Sequence, residues 1–332
     1  VTVGQTQLSL EILRSACTES GDGFELIDPS TPFLARVTRG SRSFLADAGL
    51  GTLYPLNPHF AAELARDKAY TADVLAQAGV AAIESARFYT DAADGGRYSA
   101  GRTPADALAY AQTHGYPLFA KPNRGSHGRL ARRIDDADGL IAFLREARAV
   151  DHMILLQPVV TAPEGRIFVL DGRARFAYRR EKLLVVGDGR RTLAELLADH
   201  LRDPALAREP TGLVAIAETL ARLARERRAL GDVPAAGEIV LAADAANLAQ
   251  GGRMAELDLA PSDAVHAWAA RVAAASGLRI FGADVFYGRL DDPGTYRVIE
   301  LNANPSLSGL WRAGERDAAR AIWRDVLDLY FA

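Results

Sequence analysis

The sequence predicts a mixed α/β fold of α+β character. A small N-terminal α/β domain over residues 1–82 precedes a central α+β subdomain over 83–156 and a C-terminal α+β subdomain over 157–332. Three observations carry this. At 332 residues, with 49% hydrophobic and 24% charged residues, the chain is long enough for two or three subdomains with cores of their own. Segments with apolar residues at helical spacing are interspersed irregularly with short strands. The stretch FGADVFYGRLDDPGTYRVIELNANP, residues 281–305, reads as two strands, Gly282–Arg289 and Tyr296–Asn302, joined by a Pro-Gly turn.

Taken in order, the chain opens with an amphipathic helix pattern around Leu8–Ala16 and a strand at Phe24–Ile27, with turn chemistry at Asp28-Pro29 and Asn57-Pro58. FAAELARDKAYTADVLAQAG, residues 60–79, reads as one helix closed by Gly79, with Lys68 in its middle. YPLFAKP is a short strand ending near Lys121, followed by a glycine-punctuated turn through Gly125, Ser126, His127 and Gly128. A helix over Asp138–Ala149 leads to the apolar strand MILLQPVV, then to TAPEGRIFVLDGRARFAYRR. Gly187-Asp188-Gly189 turns the chain into a helix with Thr192 at its N-cap. Residues 201–236 read as interrupted helix forming a support layer, GEIVLAADAANLAQGGRM as a strand and a polar loop carrying Asn247, Ser262–Ser276 as a helix capped by Gly277, and Glu315–Phe331 as a sealing amphipathic helix.

Composition narrows the function. A net charge of −3 and a pI near 6.1 give no basic footprint for nucleic acid or an anionic membrane, and the Arg222–Arg228 run reads as a solvated helix face. Cys17 is the single cysteine, so there is no disulfide framework and no thiolate metal site. No apolar run has the length of a membrane span, and VTVGQTQLSL lacks the pattern of a signal peptide; the expectation is a cytoplasmic protein. Of 39 basic residues all but Lys68, Lys121 and Lys182 are arginine, so these three mark positions where a compact ammonium is preferred over a guanidinium fork.

The candidate chemistry gathers on a few strands and loops. Glu300 and Asn302 alternate onto one face of their strand, and pairing of the two strands brings Asp284 within reach: a set of hard oxygen donors suited to Mg2+, or equally a hairpin whose acids face water. Gly125–Gly128 can turn backbone N–H groups toward an anion, with Lys121 adding a point charge, although most such loops are only turns. Neither a Walker-type motif nor GxGxxG is present. The Gln157–Val159 crossing suits a hinge that binds an adenine edge, with Glu164 placed to accept from a ribose hydroxyl; a buried strand with an edge proline reads the same way. Arg179, Arg180 and Lys182 before a tight turn can meet phosphate or a carboxylate, or form a solvated charge run.

Together, RDKAYTADVLAQAGV, LFAKPNRGSHGRLA, LLQPVV with Glu164, YRREKLLVVGDGRRTLAELL, VPAAGEIV with AANLAQGG, and FGADVF with VIELNANP resemble, in order over residues 60–310, the ATP-grasp superfamily of carboxylate-amine ligases. The resemblance is strongest to the ATP-grasp part of cyanophycin synthetase and of fused glutathione-synthesising enzymes. It implies an ATP-grasp fold, with ATP gripped between antiparallel sheets and the glycine loop in the central lid subdomain. It implies that Lys68 and Lys121 contact ATP phosphates under the Gly125–Gly128 loop, that Gln157 to Val159 hold adenine and Glu164 the ribose, and that Asp284, Glu300 and Asn302 bind two Mg2+ ions, for which Mn2+ can substitute. Arg180 or Lys182 and Asn247 match positions near the γ-phosphate and acyl group, and His127, by its place in the loop, reads as a loop or phosphate contact, with a general base as the alternative. Two departures stand out: Ala242-Ala243-Asp244 replaces a stretch that usually carries an Arg, with Arg253 or Arg179 as substitutes, and Ser306 replaces the Gly after NANP.

The function so implied is an ATP-dependent ligase that activates a carboxylate as an acyl phosphate and joins it to an amine. Its partners would be small amino-acid-like substrates or a short peptide, with no nucleic acid or membrane, and the resemblance suggests a homodimer. The competing readings are a ligase that modifies or macrocyclises a precursor peptide, and a nucleotide-binding protein without catalysis.

Overall fold

The computed structural model describes residues 3–31, 33–48, 53–98, 101–125, 128–202, 213–244, 246 and 252–332. Helix α1 (Val3–Ser20) is followed by β1 (Gly23–Leu26), β2 (Leu34–Arg39) and β3 (Arg42–Asp47), an antiparallel sheet in that order. Next come α2 (His59–Arg66) and α3 (Lys68–Gln77), then β4 (Ala86–Tyr89), α4 (Ala92–Tyr98), α5 (Pro104–His114), β5 (Leu118–Pro122), β6 (Arg132–Ile134), α6 (Ala137–Ala147) and β7 (Met153–Pro158). These four strands form an antiparallel sheet in the order β4-β7-β5-β6.

The remainder comprises β8 (Glu164–Leu170), β9 (Arg173–Glu181), β10 (Leu184–Val186), α7 (Leu193–Arg202), α8 (Leu213–Arg225), β11 (Ile239–Leu241), β12 (Arg253–Asp258), α9 (Asp263–Ser276), β13 (Ile280–Phe286), β14 (Arg297–Asn302), α10 (Ser308–Arg312) and α11 (Arg316–Phe331). A five-stranded antiparallel sheet runs β12-β9-β8-β13-β14, and β10 pairs with β11 in a separate ribbon.

The sequence reading is corrected at one functional position. Residues 60–79 form two helices, because Asp67 adopts an extended conformation, closes α2 and caps α3 by accepting from the Tyr70 N–H. Lys68 is therefore the first residue of α3 and not a mid-helix residue. Thr192 behaves as expected: its hydroxyl accepts from the Glu195 N–H while Glu195 accepts from the Thr192 N–H. Gly277 closes α9 at φ 72°, a left-handed conformation in which a Cβ would be strained.

Apolar clusters back the sheets, the first shared by the three-stranded sheet and part of the five-stranded one. The first sheet and α1 pack on α10 and α11, with Leu13, Tyr54 and Trp323 fully buried between them. Leu75, Trp268 and Phe281 occupy the layer between α3, α9 and the five-stranded sheet, while Phe143 and Leu140 fill the space behind the four-stranded sheet. Leu183, Val185, Leu193, Leu223 and Val240 form a small core joining the ribbon to α7 and α8. No helix among the described residues is long and apolar enough to cross a membrane.

Candidate active site

The five-stranded sheet places its charged residues by register. Asp284 on β13 lies opposite Glu300 on β14 and Arg166 on β8, and Gly282 lies opposite Asn302. Glu164, two residues before Arg166, lies opposite Arg180 on β9. Because positions two apart share a face, Glu164, Arg166, Arg180, Asp284, Glu300 and Asn302 stand on one side of the sheet. The register shifts after Asp284, leaving Ile299 as the extra residue on β14, where it joins the lining of the same cleft.

Asp284, 2% exposed, is held from two directions. Arg166 donates from Nε to Oδ1 at 2.6 Å and from Nη2 to Oδ2 at 2.8 Å, while Arg180 donates from Nη1 to Oδ2 at 2.6 Å. Burial alone would raise the Asp284 pKa, but the two guanidinium groups outweigh it and hold the carboxyl below the usual range. Glu164 moves the other way: burial raises its pKa against the pull of Arg180 and Lys182, and the backbone N–H of Ala246 donates to it. Glu300 pairs with Lys68 at 3.3 Å, and Asn302 Oδ1 accepts from the Asn304 N–H at 2.9 Å.

The four-stranded sheet forms the opposing wall. Lys121, at the end of β5, is buried, and this desolvation brings its pKa down to about 8, with nearby Lys68 acting in the same direction and Glu300 opposing. Lys68 Nζ donates to the Gly125 carbonyl at 2.7 Å, so one ammonium joins the glycine turn to Glu300. Gln157 is buried and donates from Nε2 to Ser85 Oγ at 2.6 Å. Between the sheets lies a cleft of about 390 Å³. Lys68, Lys121, Gly125, Gly128, Gln157, Val159, Glu164, Arg180, Lys182, Asp284 and Glu300 all line it.

The structure does not bring every candidate here. Arg253 is exposed and ion-paired to Glu181, and Arg179 turns to Glu181 and Glu256 on the opposite face of β9 from Arg180, so neither lines the cleft in place of an arginine at Ala243. Ser126, His127 and Asn247 lie outside the described residues. Conversely, Arg222, read from sequence as part of a solvated face, lines the cleft and pairs with Asp244, which is also clasped by Arg225. Arg166 was passed over because an arginine in a strand reads as an ordinary wet-face residue. Asn123, 1% exposed, accepts from the Ala69 N–H through Oδ1 and so fixes α3 against the end of β5.

No protein-family model matches the chain. Cyanophycin synthetase of Trichormus variabilis is 28% identical over 231 residues, covering 65% of this chain and 25% of its own. The glutathione biosynthesis bifunctional protein GshAB of Streptococcus mutans is 26% identical over 220 residues, covering 60% and 28%. The crystal structure of a bifunctional glutathione synthetase from Pasteurella multocida superposes with a TM-score of 0.52 at 19% identity, covering 90% of this chain and 41% of that one. Two antiparallel sheets closing on one charged cleft, with these likenesses, define an α+β protein of the ATP-grasp fold. The chain has the ATP-grasp fold and is similar in sequence to these enzymes over part of their length. It spans about a quarter of the length of the curated relatives it matches.

Proposed function

We propose that this chain is an ATP-dependent ligase that forms an amide bond between a small carboxylate and an amine, such as amino acids or a short peptide. The observation that carries the reading is convergence. Lys68, Lys121, Arg180 and Lys182, from both sheets and α3, line one cleft with Asp284, Glu300 and Glu164, and Arg166 pairs with Asp284 beside it. With Arg129, Arg133, Arg222 and Asp244 also in the lining, seven cations stand against four carboxylates among the described residues and leave an excess of positive charge in partly desolvated space, complementary to a triphosphate and a substrate carboxylate.

In this reading Gln157 and Val159 bound the adenine end and Glu164 accepts from the ribose. Lys68 and Lys121 hold the phosphates, and Arg166, Arg180 and Lys182 face the reacting end. The substrate carboxylate attacks the γ-phosphorus, ADP leaves, and the amine displaces phosphate from the acyl phosphate. Each step builds charge on oxygens that these fixed cations stabilise.

The donor set also fits Mg2+. Asp284 and Glu300 are cross-strand neighbours, Asn302 follows two residues on, and all three offer the hard oxygens that Mg2+ prefers. Asp284, Glu300 and Asn302 would hold the metal, two ions in this proposal with Mn2+ as a substitute, and the ions would neutralise phosphate oxygens. In the structure Arg166, Arg180 and Lys68 balance these acids.

The test is ADP formation by the purified chain with Mg2+ and ATP against a matrix of amino acids, dipeptides and small carboxylic acids, with mass spectrometry of the products. ADP together with a new amide mass is the expected result. Tight ATP binding with no ADP under any pair would overturn the ligase reading in favour of a nucleotide binder.

A further inference from the structure

The cleft continues beyond its charged residues. Lys182 leads through buried Leu183 into β10, where Val185 faces the core under α7 and α8 while Leu184 and Val186 face outward. Across the ribbon Val240 is buried and Ile239 and Leu241 face outward. The register sets Leu184 opposite Leu241 and Val186 opposite Ile239, so the outer face consists of two apolar cross-strand pairs. A strand pair with one wet face ordinarily carries polar residues there. Here Val186 is 52% and Ile239 65% exposed. Leu241 lines the cleft with Arg180 and Lys182 and so joins its cationic end to the ribbon, whose outer face continues through Leu184, Val186 and Ile239 outside the cleft lining.

We infer, resting on the ligase reading, that the carboxylate substrate carries an apolar body, its carboxylate held by Arg180 and Lys182 and its hydrocarbon seated on Leu184, Val186, Ile239 and Leu241. The cationic end is short of an acceptor: Arg180 Nε is buried without a hydrogen-bond partner among the described residues, an orphan that an anionic oxygen would satisfy. An amine is the wrong occupant, because an ammonium offers no acceptor to the orphan Arg180 Nε–H. A second copy of the chain is also a poor fit. Four side chains offer far less than the roughly 800 Å² per partner of a stable protein interface, and such a contact would leave the cationic end unused.

The experiment is calorimetric titration of the purified full chain, saturated with a non-hydrolysable ATP analogue and Mg2+, with N-acetylglycine, N-acetylvaline, N-acetylleucine and N-acetylphenylalanine, and with their primary amides as uncharged controls. Affinity should rise about tenfold from N-acetylglycine to N-acetylleucine, as partial burial of a leucine side chain gives, and each amide should bind at least about tenfold more weakly than its acid, as loss of a charge-assisted contact implies. In Val186→Asp/Ile239→Asp the acid series should flatten while the analogue binds as in wild type; both side chains are exposed, and Val186→Thr/Ile239→Thr is the milder pair should the aspartates disturb the ribbon. A flat series in wild type, or a slope that survives the substitutions, overturns the inference. A flat series with a dimer that the substitutions dissociate also overturns it and assigns the face to a second copy. Failure of wild type to bind the analogue is a separate result, and it overturns the ligase reading itself.

Discussion

Arg166 and Asp284 sit directly opposite one another on β8 and β13 and form a two-point contact, Nε to Oδ1 at 2.6 Å and Nη2 to Oδ2 at 2.8 Å. Asp284 is buried and the Arg166 side chain is 15% exposed; burial disfavours the charge of Arg166, but Asp284 more than compensates and the Arg166 pKa is raised. Removing one partner of a buried pair leaves an uncompensated charge. Arg166→Ala should therefore cost about 3 kcal/mol in urea unfolding, with Arg180 limiting the loss. Arg166→Lys keeps the charge but not the fork and should fall between the two. Wild-type stability in Arg166→Ala would show that Arg180 alone balances Asp284.

Glu300 is more open than Asp284, its side chain 32% exposed against 3%, and its ion pair to Lys68 is long at 3.3 Å. Glu300→Gln should cost about 1 kcal/mol or less in stability. The proposed metal site loses a charged ligand, so turnover should fall at least about a hundredfold, by analogy with lost electrostatic stabilisation. Thermal unfolding and ADP release measured on one preparation separate the two effects. Near wild-type turnover would remove the metal assignment.

The placement of the hairpin residues was legible because strand periodicity puts Glu300 and Asn302 on one face and pairing of the two strands brings Asp284 opposite Glu300. The position of Lys121 at the end of a short strand was legible for a similarly local reason. Arg166 was not, since its partner is 118 residues away and nothing near it distinguishes a buried arginine from a wet one. Lys68 was recognised but misplaced: helical spacing runs smoothly across Asp67, and only the cap reveals the break. Arg222 was lost for a third reason. Periodicity tells which face of a helix is polar, not that Asp244 will meet that face and carry it to the cleft wall.

The turn at the far end of the ribbon offers a direct packing test. A Cβ on Gly187 would lie 2.2 Å from the Ala235 carbonyl oxygen and 2.9 Å from Pro234, both too close to be accommodated without moving backbone. The Gly187 N–H also donates to the Glu238 carbonyl at 2.8 Å, so backing away would break the link between the two loops. Gly187→Ala should cost about 2–3 kcal/mol, the range of overpacked sites. Hydrogen exchange should localise the loosening to β10, β11 and their contacts with α7. Unchanged protection in those strands would contradict the close approach.

Lys121 gives the site its pH dependence. Burial brings its pKa from the ordinary 10.5 down to about 8, so the ammonium that the phosphate role requires is present below about pH 8 and lost above it. ATP affinity of the free protein should fall as pH rises through 8, approaching tenfold per unit, and the fall should be absent in Lys121→Arg, whose guanidinium stays charged throughout. Stability has the opposite sign. Folding disfavours the buried ammonium, so the penalty is present in full below about pH 8 and is relieved between about 8 and 10.5. Lys121→Met should consequently be more stable than wild type at pH 7, lose that advantage by pH 10, and bind ATP more weakly at pH 7. Calorimetric ATP titrations and urea unfolding at pH 7, 8.5 and 10 read both trends. A flat affinity profile in wild type would place the ammonium outside the phosphate site, whatever the stability curve does.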